Sequence, residues 1–135
     1  MRKALRLAGV TVLLWGVALA LGNCEERSRF LRYKAWARHY AQVLGVKQQL
    51  YFVQHWHPEF CGWVQAKDIF GAEVGFDNVS KECLQVNPRE LALHEMCHLR
   101  WQHIYPQGLT AEQQHVEVKF CVDRVKRQED PLASR

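Results

Sequence analysis

From Phe30 onward the apolar side chains fall at helical spacing. Phe30, Tyr33, Ala37, Tyr40, Ala41 and Leu44 share one face of an amphipathic helix predicted over Arg29–Leu44, and Gly45 supplies the stop. The period then shortens. Leu50–Val53 is a β-type run, and Cys61–Lys67 reads as a strand with Val64 and Ala66 on one side. Asp68–Gly71 reads as a turn, Glu73–Phe76 as a further strand and Cys83–Val86 as the last one. Helical spacing returns at Asn87-Pro88-Arg89-Glu90, where an N-cap, a proline at the first helical position and a capping-box glutamate coincide. Leu91, His94, His98 and Trp101 form one stripe of that helix, with Leu93, Cys97 and Ile104 along a second edge. Tyr105-Pro106-Gln107-Gly108-Leu109 breaks it. Thr110, with Gln113 three residues on, then opens another helix from Ala111 to about Arg127, whose apolar stripe is Val118, Cys121, Val122 and Val125. The sum is an N-terminal helix, a small mixed sheet of three or four short strands and two further helices, an α+β fold.

Composition adds that 135 residues, 48% of them hydrophobic, suffice for one domain with a packed core. The formal net charge of +4 is concentrated at Arg2, Lys3 and Arg6, and the near-neutral remainder argues against a nucleic-acid partner. Those cations precede the apolar run Leu7–Leu21 and then Gly22-Asn23-Cys24, the layout of an export signal. Residues 1–23 are therefore expected to be a signal peptide or membrane anchor, and residues 24–135 a single exported domain. Leu21-Gly22-Asn23-Cys24 resembles a bacterial lipobox, which implies lipid on Cys24, although Asn23 stands where a small residue is usual. The expected location is the bacterial cell envelope, in the periplasm and tethered to the membrane through the N-terminal segment or that lipid.

Five cysteines agree with export: setting Cys24 aside leaves Cys61, Cys83, Cys97 and Cys121, enough for two disulfides in an oxidising compartment. Sequence does not dictate their pairing. Cys97 with Cys121 is the first expectation, because these two lie on the helices flanking the candidate site.

That site is His94-Glu95-Met96-Cys97-His98, an HExxH pentad that this composition would produce by chance only about 0.03 times. On a helix the two histidines stack on one face, aimed at one metal ion, and Glu95 stands beside them as a general base for a metal-activated water. A third ligand is required. His115 and Glu117 lie at opposite margins of the last helix's apolar stripe, so either can face the first helix; His103 is a nearer option. His55 and His57, in a Trp/Pro loop, read as packing residues rather than ligands. Asn78-Val79-Ser80 is formally a glycosylation sequon and reads as a turn.

HExxH followed by Glu117 after 18 residues resembles the gluzincin zinc peptidases, and the small size and strand–helix–helix order resemble the single-domain minigluzincins. The resemblance is specific over residues 94–117. It implies zinc held by His94, His98 and Glu117, Glu95 as general base and proton shuttle, and an extended peptide substrate bound along an edge strand, with Cys61–Lys67 the candidate. Cys121 departs from the aspartate that thermolysin-like enzymes carry four residues beyond the ligand glutamate, and the aminopeptidase exopeptidase motif is absent. Tyr105, His103 and His115 are the candidates for oxyanion stabilisation. The expected function is thus an exported, membrane-anchored zinc metallopeptidase. The alternatives are a non-catalytic, zinc-stabilised envelope lipoprotein or binding module, and a three-histidine SprT-like metalloprotease using His115.

Overall fold

The computed structural model describes residues 24–104 and 111–130. The expected signal or anchor, the cap at Thr110 and Tyr105 lie outside the described residues. The fold is α+β: α1 (residues 24–44), β1 (Gln49–Gln54), β2 (Gly62–Ala66), β3 (Gly71–Phe76), α2 (Lys81–Leu84), α3 (Pro88–Ile104) and α4 (Ala111–Glu129).

Helix α1 buries the face that its periodicity marks, with Tyr33, Ala37, Tyr40, Ala41 and Leu44 in the core and Phe30 packed against it. It ends where Gly45 turns left-handed at φ +68°, which lets Val46 N–H donate to Ala41 O and Gly45 N–H to Gln42 O. The strands lie in the order β1-β3-β2, with β3 parallel to β1 and antiparallel to β2. Asp68 Oδ1 closes the β2–β3 turn by accepting from Phe70 N–H and Gly71 N–H. Because β1 and β2 flank β3 on opposite sides, the segment between them must cross the end of β3. It is tied there to Asp77, whose N–H donates to Cys61 O and whose Oδ2 accepts from His57 N–H.

Ala72, Val74 and Phe76 of β3 face the helices and are buried. Tyr33 stacks on Phe76 at 4.5 Å between ring centroids and donates its hydroxyl to Gly75 O. The opposite face is shielded by two rings lying across glycines: Tyr51 over Gly71 and Trp63 over Gly75, where any Cβ would collide with the ring.

The expected strand at Cys83–Val86 is instead the single helical turn α2. The local hydrogen bonds decide this. Asp77 Oδ1 accepts from Val79 N–H and Ser80 N–H, and Ser80 O accepts from the N–H groups of Cys83 and Leu84. Arg29 on α1 then donates to the carbonyls of Cys83 and Val86, which a strand would have turned towards a neighbour. Burial by itself would raise the Asp77 carboxyl. The hydrogen bonds from Ser80 Oγ and from the N–H groups of Val79, Ser80 and His57 outweigh it and hold the group below its ordinary range. The sequon is the expected turn. Asn78 is buried, accepting from Arg29 Nε and donating to Glu26 O, so it has no free amide to modify.

Two disulfides form, Cys61–Cys83 and the expected Cys97–Cys121; Cys24 is exposed and unbridged. Such bonds belong to oxidising compartments. No described helix is long and apolar enough to cross a membrane.

Candidate metal centre

Helix α3 is the central element of the domain. Asn87 caps it, its Oδ1 accepting from Arg89 N–H. Ala92, Leu93, Met96, Cys97 and Leu99 are buried on its core-facing sides. Glu90, expected to complete a capping box, instead accepts from Lys126 Nζ on α4 at 3.1 Å. Leu91, His94, His98 and Trp101 form the half-buried stripe that remains.

On this stripe His94 Nε2 and His98 Nε2 approach to 3.1 Å, with ring centroids 4.7 Å apart. The side chain that joins them is His115 of α4, its ring centroid 6.3 Å from that of His94 and 5.7 Å from that of His98. One ligand atom from each of the three histidines lies within 4.8 Å of the others. Glu117 is not in this group. Residues two apart on an α-helix differ by about 200°, so His115 and Glu117 cannot both face the histidine pair. His55 and His57 also stand apart, as expected. Their rings pack on Trp63 at 4.7 and 4.9 Å, and His57 Nδ1 accepts from Glu59 N–H and Phe60 N–H. The side chain of His103 lies outside the described residues.

The electrostatics suit a cation. Burial, then the neighbouring His94 and His115, push His98 down to about 4, and burial with His115 lowers His94 as well. The pair therefore stays neutral at physiological pH, with lone pairs available to a metal. A tetrahedral ion with bonds of about 2.0–2.1 Å sets its nitrogen ligands about 3.3 Å apart, close to the separation of the two Nε2 atoms. The chemistry and spacing of the three imidazoles fit a divalent metal ion. His115 is exposed and the other two half-buried, so the centre opens to solvent.

Glu95 follows His94 in the chain and is 5% exposed. Burial pushes its carboxyl up to about 8. It packs beneath the start of β2: a Cβ on Gly62 would lie 3.1 Å from Glu95 Cγ and 3.0 Å from Leu91. Strand β2 pairs only with β3 among the described residues, so its other edge is open, and α3 packs against it. The expected edge strand within Cys61–Lys67 is thus β2, Gly62–Ala66.

Nothing in the sequence marked Gly62 as functional, because its importance comes from a neighbour 33 positions away. The variant Gly62→Ala is expected to displace Glu95 while leaving the sheet paired. Zinc content and melting should stay near wild type, with any hydrolytic rate reduced about tenfold or more. An unchanged rate would mean that Glu95 is not held by this contact.

Comparison with protein-family models, curated sequences and solved structures returns no match for this chain.

Proposed function

We propose that the protein is a zinc metallopeptidase, exported to the bacterial envelope and held at the membrane by its N-terminal segment or by lipid on Cys24. The observation that carries this reading is the convergence of His94, His98 and His115, two of them in a pentad whose Glu95 is buried. Three imidazoles are a good donor set for zinc and leave a fourth position for substrate. With His115 as the third ligand, the donor set is the three-histidine one rather than that of the gluzincins.

When bound, zinc supplies Lewis-acid polarisation of a peptide carbonyl and a lowered pKa for water. Glu95 accepts a proton from the attacking water and returns it to the departing amine. A cation beside Glu95 favours the carboxylate and so opposes the burial that raises its pKa. The open edge of β2 offers main-chain N–H and C=O groups to an extended peptide, which orients the scissile bond along α3. The two disulfides already cross-link this small fold, which weakens the case for a purely structural zinc.

The test is a peptide-library screen with zinc-loaded full-length protein. Cleavage that stops on chelation and returns with added zinc supports the reading. Stoichiometric zinc without cleavage of any peptide, together with melting on chelation, would identify a structural metal instead.

A further inference from the structure

The Cys97–Cys121 disulfide occupies a telling position. Cys97 lies between His94 and His98 in the pentad, and Cys121 lies six residues beyond His115, about 9 Å along α4. The bond therefore joins the helix that carries two ligands to the helix that carries the third. It is the only covalent link between them other than the chain itself.

Apolar packing also holds α4, with Cys121 and Val122 against the core. Among its described residues only Val118 and Val125 are fully buried, while Val116 and Phe120 are exposed. Its ion pairs to α3, Lys126–Glu90 and Arg89–Glu129, join groups open to water, where such pairs contribute little. Both pairs also involve residues well beyond Cys121 on α4. The rotation of α4 matters more than its mere attachment. His115 sits at one margin of the stripe formed by Val118, Cys121 and Val125, so a roll of the helix in one direction carries its ring away from the histidine pair.

We propose that Cys97 and Cys121 are positioning residues for the metal centre, and that their oxidation switches on metal binding. This inference rests on the metal-centre reading above. In the reduced chain packing alone sets the roll of α4, His115 is held less firmly against His94 and His98, and the third ligand is no longer locked in place. In the oxidised chain the third is held. The step is thiol–disulfide exchange. The Cys97 and Cys121 thiols together lose two protons and two electrons as the S–S bond forms, and a disulfide-bearing oxidant of the receiving compartment is reduced to its two thiols. A chain of this design is inactive where it is made, in a reducing compartment, and acquires its metal only after it reaches an oxidising one.

The experiment is zinc titration of the full-length protein against a chromophoric chelator. Four forms are compared: oxidised wild type, C97S/C121S, C61S/C83S oxidised, and C61S/C83S after reduction with a phosphine. Circular dichroism checks that each is folded. The expected result is zinc affinity about tenfold or more weaker in C97S/C121S, with C61S/C83S close to wild type when oxidised and weakened to the same extent when reduced. Should C97S/C121S fail to fold, the reduction of folded C61S/C83S makes the same comparison. Equal or tighter zinc binding by C97S/C121S or by reduced C61S/C83S overturns the switch and leaves the metal centre standing. Absence of zinc from oxidised wild type overturns the metal centre and the switch together.

Discussion

Replacing His115 by alanine is expected to strip zinc from the protein, whereas Glu117→Ala should leave zinc content unchanged. The expectation follows from geometry. His115 brings a ring nitrogen into one group with those of His94 and His98, and Glu117 does not belong to it. Removing one of three protein ligands leaves a two-histidine site, for which a loss of affinity of at least about a hundredfold is expected, with hydrolysis falling in parallel. The measurement is metal content by mass spectrometry on both variants after dialysis against a weak chelator, with melting curves to confirm that α4 stays folded. His115 is exposed and contributes little packing, so its loss should barely change the metal-free melting temperature. The reverse outcome, zinc lost only from Glu117→Ala, would return the protein to the gluzincin arrangement.

Glu95→Gln separates metal binding from chemistry. The amide has nearly the same shape as the carboxyl but cannot take a proton from water, so hydrolysis should fall by about 10²–10⁴-fold while zinc stays bound. A second, independent consequence concerns stability without metal. Glu95 has an ordinary value of 4.5 and is raised to about 8 in the fold. Its contribution is thus fully present below pH 4.5. It is lost as the pH rises towards 8, because the unfolded chain gives up the proton first. The metal-free variant should therefore be more stable than metal-free wild type at pH 7, by about 3 kcal/mol, and the difference should vanish below pH 4.5. Thermal melts of both proteins across pH 4–8 in chelator measure it. Loss of activity without this pH-dependent gain would mean that the carboxyl is not buried in solution. Undiminished cleavage by Glu95→Gln would remove it from the mechanism.

Much of this arrangement is legible along the chain, for reasons particular to each element. Helix α1 declares itself because every apolar residue of its stripe has one place to go, the core. Gly45 marks its end because only glycine takes φ +68° without strain. The pentad is legible because a covalent spacing of four becomes a spatial neighbour on any helix, and the helix itself is announced by Asn87 and Pro88. The one-turn helix α2 reads wrongly as a strand. A four-residue run carries no usable period, and its conformation is set by the Asp77 side chain and by Arg29, which is 54 positions from Cys83. The free edge of β2 follows from a strand order that crosses over β3, which no local pattern encodes.

Residues near one another along the chain are enough for the α+β class, the helix that bears His94, Glu95 and His98, and a strand within Cys61–Lys67. Each of these depends on residues close together in the chain or on one apolar face that must be buried. The identity of the third imidazole was a matter for tertiary structure alone. His115 and Glu117 are equivalent by period, at mirrored margins of one stripe, and only the rotation of α4 against α3 distinguishes them. That rotation is fixed by packing at Val118 and Val125 and by a covalent bond between helices, interactions that exist only once the chain has folded.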